Sequence, residues 1–229
     1  MALRRFDLDA GGDTFEFRPE TEGDIAFWLA KYPEDRKQSA VIPLLWLAQR
    51  DNEGWLSEPA MREVADRLEM AYIRVYEVAT FYTMFKLAPV GRAHVQVCGT
   101  TPCMLRGANE LKAVCREKIG KELQVTDDGR LSWEEVECLG ACVNAPMAQI
   151  NDDYFEDLTP DGFADLLEKL RNGAEVTPGP QTAARHLSEP EGGAATLNDP
   201  SLYDGSLAQP LASIPNAPGQ GDADAGTGA

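Results

Sequence analysis

An α+β chain is expected, in three parts: a helical bundle over residues 14–90, a small α/β domain over 91–173, and an irregular acidic tail over 174–229. Three observations predict it. Apolar residues recur at helical spacing up to about Phe85, and after Gly91 the pattern changes to strand-like alternation. From Ala174 onward, 7 Pro and 8 Gly fall within 56 residues, and such a segment buries too little apolar surface to fold alone.

Four helices account for the first part. "TEGDIAFWLAKYP" sets Ile25, Trp28, Leu29 and Tyr32 on one face, with Pro33 as a stop. A second helix, from about Ser39 to Arg50, carries Val41, Leu44, Leu45 and Leu47. In "LSEPAMREVADRLEM", Ser57 is an N-cap, Pro59 suits the first turn, and Met61, Val64, Ala65 and Leu68 form the stripe. The fourth runs from Ala71 to about Phe85 and concentrates Tyr72, Tyr76, Phe81, Tyr82 and Phe85, which suit core packing or a contact with the next domain or a partner. The last two helices have a superficial helix-turn-helix spacing. Arg74 is the only cation between Tyr72 and Met84, however, so DNA reading is not expected.

In the second part "AHVQVC" alternates and delivers Cys98 at its end. A helix follows with Leu111, Val114, Cys115 and Ile119 on one face, then "LQVT" as a strand, "DDGR" as a turn, and "LSWEEVE" as a strand leading to Cys138. "MAQIND" and "YFEDL" suggest a closing hairpin. Thr159 caps a last helix that Pro160 opens and Gly173 ends. The set suits a small α/β sandwich. The spaced leucines and isoleucine of the tail, Leu187 to Ile214, fit either a linker or a segment laid on a partner.

Composition narrows function. The net charge of −17 divides as −5, −6 and −6 over the three parts, so no part is basic and nucleic-acid binding is not expected. The longest apolar run, Ala40 to Ala48, is interrupted by Pro43 and is far short of the roughly 20 residues that span a bilayer. The N-terminus lacks the apolar stretch of a secretory signal, so a cytoplasmic address with reduced thiols is expected.

The cysteines carry the chemistry. Cys98 and Cys103 form C-x4-C and Cys138 and Cys142 form C-x3-C, each pair after a predicted strand. Structural disulfides are disfavoured in that compartment, and the C-x-x-C of a thioredoxin-type redox centre is absent. Four thiolates suit a tetrahedral zinc or a 2Fe-2S cluster, and spacing alone leaves both open, along with unliganded thiols. The loops favour iron, because two pairs on separate loops match a two-iron rhomb. Gly99 and Gly140 let the main chain approach it, and Thr100 and Thr101 offer hydroxyls. With His94 and His186 as the only histidines, a Rieske centre does not fit. Cys115, on an apolar helix face, reads as a small hydrophobe. Glu134, Glu135 and Glu137 read either as a solvated strand face or as charges that lower the cluster's potential.

"EVATFYTMF", "PVGRAHVQVCGTTPCMLRGA" and "ECLGACVNAPMAQIND" resemble the small iron-sulfur subunit of the NADH-oxidising module of respiratory complex I, the thioredoxin-like ferredoxin family, over residues 15–172. The resemblance implies a helical N-terminal region followed by a thioredoxin-like α/β domain holding one 2Fe-2S cluster, with Cys98, Cys103, Cys138 and Cys142 as ligands. It implies a larger partner subunit bearing flavin mononucleotide (FMN) and the NADH site, and a large iron-sulfur subunit of the same complex. The expected role is therefore an electron-carrying subunit of NADH:quinone oxidoreductase, peripheral to the inner membrane, on the cytoplasmic side or the matrix side of an organelle. This chain has no GxGxxG, P-loop or catalytic acid–base set of its own, and no catalytic residue is assigned. The equivalent subunit of an NAD-linked hydrogenase or formate dehydrogenase is the alternative; a zinc-stapled scaffold is the alternative of another class. A cis bond between Ala145 and Pro146 is also expected, since thioredoxin folds commonly place a cis proline before the corresponding strand.

Overall fold

The structure is a computed structural model that describes Asp7, Ala10, residues 12–182 and residues 196–202. Four helices come first: α1 (Glu22–Leu29), α2 (Val41–Asp51), α3 (Glu58–Leu68) and α4 (Tyr72–Phe81). Their apolar stripes meet in one core that includes Ile25, Leu44, Leu45, Met61, Val64, Leu68 and Val75. Ser57 Oγ accepts the Ala60 N–H at 3.3 Å, the cap that the residue type predicts. Arg67 on α3 donates two parallel hydrogen bonds to the Glu22 carboxylate on α1, at 2.7 and 2.8 Å. The planar guanidinium meets the carboxylate edge to edge, at the surface of the helix pair.

Helix α4 stops at Phe81, four residues before the expected end. Tyr82 is extended (φ −84°, ψ 119°), which turns Phe85 back into the core, where it is fully buried beside Trp46. The aromatic run thus divides: Phe85 packs inside, whereas Phe81 is 77% exposed.

The second unit is built on a five-stranded sheet in the order β2-β1-β3-β4-β5, from β1 (Ala93–Cys98), β2 (Leu131–Val136), β3 (Ala148–Ile150), β4 (Asp153–Glu156) and β5 (Gly179–Pro180). β1 is interior, parallel to the edge strand β2 and antiparallel to β3; β4 is antiparallel to β3 and parallel to β5. Between β1 and β2 come α5 (Thr101–Leu105), a one-turn helix, and α6 (Ala108–Lys118); α7 (Pro160–Arg171) follows β4. Helices α6 and α7 contribute Leu111, Cys115, Phe163, Leu166 and Leu167 to one core with Val95, Val97, Trp133 and Phe155 of the sheet. Thr159 Oγ1 accepts the Gly162 N–H at 3.2 Å and caps α7 as expected.

Two features differ from the expectation. "LQVT" is not a strand: Leu123 adopts φ +62°, which breaks an extended run, although the Leu123 and Thr126 N–H groups still donate to Trp133 O and Leu131 O. A turn held against β2 replaces a strand. Past Gly173, where the expected α/β domain ends, the chain adds β5 to the sheet edge and packs Val176 on the core. Most of the tail, and with it Leu187, Tyr203, Leu207, Leu211, Ile214 and His186, lies outside the described residues. The Ala145–Pro146 bond is cis, as expected. Among the described residues no helix is long and apolar enough to cross a membrane.

Candidate metal centre

The sheet order positions the site. Strand β1 ends at Cys98 between β2 and β3, so the loop after β1 and the loop joining β2 to β3 leave the same end of the sheet. Cys98 closes β1, and Cys103 follows on the short helix α5, which residue periodicity does not reveal. Pro102 in its first turn is the signal that could have found it. Cys138 lies on the second loop, and Cys142 opens a 3-10 turn through Asn144.

Four thiols meet two by two. Cys138 and Cys142 Sγ atoms are 3.7 Å apart and exposed. Cys98 and Cys103, both buried, lie in one cluster. The loops are tied to each other as well, since Leu139 of the second loop packs against the cluster that holds Cys98 and Cys103. Ala108, Ala141, Ala145 and Met147 pack around the buried pair, with Leu139 and Tyr154 against them. The Tyr154 hydroxyl donates to Leu139 O at 2.7 Å and anchors the outer loop to β4.

Electrostatics differ from thiol to thiol. Burial pushes Cys98 up, but hydrogen bonds from Thr100, Leu139 and Cys103 outweigh it and bring the thiol below its ordinary value. Cys103 is pushed up to about 12 by burial and by its bond to Cys98. Cys142 is raised by its hydrogen bond to Cys138, and it feels the charge of Cys98 from the other loop. A bound metal would displace the protons of these thiols. Cys115 stands apart on α6, fully buried and pushed up to about 12 by burial, as a small hydrophobe should be.

Of the two threonines, Thr100 Oγ1 lies 3.5 Å from Cys98 Sγ, whereas Thr101 is exposed at the start of α5. The two glycines serve different needs. A Cβ on Gly99 would come within 2.0 Å of the Glu135 carboxylate; Gly140 has open space around it but adopts φ +84°. Among the described residues no three His, Cys, Asp or Glu side chains close on one point as a single ion needs. Two thiol pairs, each able to serve one iron, fit the donor set a 2Fe-2S cluster needs, and the apolar packing around the inner pair suits it.

Residues 25–171 match the thioredoxin-like 2Fe-2S ferredoxin family. The chain belongs to that family. Among the ferredoxin's relatives, the first E-type subunit of the NADH-quinone oxidoreductase of Rhizobium meliloti (strain 1021) is 55% identical over 205 residues, covering 87% of this chain and 74% of the relative. The E-type NADH-quinone oxidoreductase subunit of Rickettsia bellii (strain RML369-C) is 59% identical over 145 residues, 63% of this chain and 87% of the relative. The thioredoxin-like ferredoxin fold recurs in the crystal structure of an air-oxidised NAD+-reducing NiFe hydrogenase, with a TM-score of 0.52 at 21% identity over 59% of this chain. The ferredoxin spans only 23% of that hydrogenase chain.

The acidic run of this ferredoxin divides, with Glu135 and Glu137 exposed as a solvated face would have them and Glu134 turned inward. Glu134 is largely buried, paired with Lys86 from the helical unit and with His94 Nε2 at 3.1 Å; Glu135 is paired with Lys112 Nζ at 2.9 Å. Sequence reasoning misses both lysines, because neither is near the acids in the chain.

Proposed function

We propose that this chain is the one-electron carrier of an NADH:quinone oxidoreductase, with Cys98, Cys103, Cys138 and Cys142 holding a 2Fe-2S cluster. The observation that carries the reading is the convergence of two cysteine loops at one end of the sheet, with Leu139 of the second loop packed against the cluster that holds Cys98 and Cys103. A bound 2Fe-2S cluster supplies one-electron storage. The chain's own residues hold the thiols in pairs, exclude water from Cys98 and Cys103, and leave Cys138 and Cys142 at the surface for contact with a redox partner. That partner is a subunit bearing FMN and the NADH site, since hydride brings two electrons and a flavin can release them singly. A large iron-sulfur subunit of the same complex completes the assembly, peripheral to the membrane. Identity of 55% and 59% to the two NADH-quinone oxidoreductase subunits favours this reading over the equivalent role in an NAD-linked hydrogenase, which rests on fold alone.

The test is electron paramagnetic resonance of the purified full chain. Dithionite should produce a reduced-cluster signal and NADH should not, until the flavin-bearing subunit is added. Alanine at Cys98, Cys103, Cys138 or Cys142 should abolish or severely reduce bound iron and sulfide, and Cys115→Ala should retain both. A signal from NADH alone, or an intact spectrum in Cys138→Ala, would overturn the proposal.

A further inference from the structure

Consecutive side chains on a strand point to opposite faces of the sheet. On β2 this separates Glu134, which meets the helical unit through Lys86, from Glu135, which turns to α6 and meets Lys112. The second pair is the one beside the metal centre. Glu135 stands opposite Val97 in the β1–β2 register, one step from Cys98, and its carboxylate lies against the Gly99 backbone so closely that a Cβ there would come within 2.0 Å of Oε1. Lys112 is only 9% exposed, and its ammonium lies 2.9 Å from the same oxygen. The Glu135 N–H donates in turn to Glu122 Oε1 at 3.0 Å, which holds the strand end in place.

Two opposite charges are thus fixed next to the backbone that carries Cys98, one of them out of solvent. A charge at such a site acts on a nearby redox centre with less screening than a surface charge. A negative charge opposes adding an electron and a positive one favours it, so each member shifts a cluster's potential with its own sign. We propose that Glu135 and Lys112 set the reduction potential of the cluster, the carboxylate lowering it and the ammonium raising it. The inference rests on the cluster reading above. The pair are positioning and tuning residues, touching neither sulfur nor iron. Gly99 is required because any side chain there would evict the carboxylate.

The experiment is a redox titration of the full chain followed by electron paramagnetic resonance, with iron and sulfide counted per chain. Glu135→Gln should raise the midpoint potential, Lys112→Gln should lower it, and the double variant should fall between the two. Lys112→Arg, which keeps the charge, should stay near wild type. A pair that only braced the loop would shift both single variants the same way or neither. Should Lys112→Gln fail to load, Glu135→Gln decides alone, and an unmoved or lowered potential overturns the tuning. A wild-type chain without iron and sulfide overturns the cluster reading and the tuning with it, whereas a loaded wild type whose variants do not split overturns the tuning alone.

Discussion

His94 has every polar atom of its ring assigned by its neighbours. Nε2 faces the Glu134 carboxylate, which can only accept, so it carries the proton; Nδ1 then accepts from the Ser132 hydroxyl at 2.8 Å, whose own lone pair takes the Gly91 N–H. Ser132 and His94 are buried, so this Ser–His–Glu chain is a packing device and not a nucleophilic triad. Burial lowers the His94 pKa below its ordinary 6.5, outweighing the pull of Glu134. The Glu134 carboxyl, which burial alone would raise, is held at about 2 by His94 and Lys86. Both folded values are depressed, so in both cases the unfolded chain binds the proton first and stability is lost on acidification. The histidine's share should be full above about pH 6.5 and fall below it, and the glutamate's should fall from about 4.5 toward about 2. Thermal midpoints of the full chain between pH 7.5 and 5.5 should decline, and His94→Gln should flatten that decline; an equal slope in the variant would refute the assignment.

Helix caps are the most legible elements in the chain, because the cap chemistry is local. Thr159 followed by Pro160, and Ser57 followed by Pro59, each announce a helix start within three residues, and both side chains accept the expected N–H. Thr159→Ala should cost about 1 kcal/mol in urea unfolding, and Thr159→Ser should recover most of it. The strand bearing Cys98 and the hairpin of β3 and β4 are equally readable from alternation. What misleads is non-local. "LQVT" has the composition of a strand, yet Leu123 at φ +62° turns it, and nothing in its four residues reveals that. Cys103 sits on a helix too short for periodicity to report, and β5 is a Gly-Pro pair whose only strand credential is the edge of β4 beside it. The four cysteines are legible as two pairs; that Leu139 of one loop packs on the cysteine cluster of the other requires the fold.

The two units are joined through Lys86, the residue just past Phe85. Its N–H donates to Gln49 on α2, and its ammonium reaches Gln96 at 3.1 Å and the Glu134 carboxylate on the sheet. The folded molecule extends past the closing helix, because Val176 and β5 belong to it. A chain ending at Thr182 should keep the iron content and thermal midpoint of the full protein and lose affinity for the flavin subunit. A chain ending at Gly173 should melt lower, because it strips the edge of β4. Equal melting of the two truncations would remove β5 from the folded unit, and unchanged affinity would make the remaining tail a linker.

The Lys86 network has a consequence for inheritance. Lys86 and Glu134 are each less than one-fifth exposed, 48 positions apart in the chain and on different units. Losing Glu134 strands the Lys86 charge and takes the acceptor from buried His94 Nε2–H, at a cost on the order of 3–5 kcal/mol, whereas a joint replacement that also adjusts position 94 costs much less. Drift through single changes is therefore opposed and drift through joint changes is open, so across related chains positions 86, 94 and 134 should covary. Gln96 should follow them, and the joint between helical unit and sheet should be traceable in an alignment as one correlated set of letters.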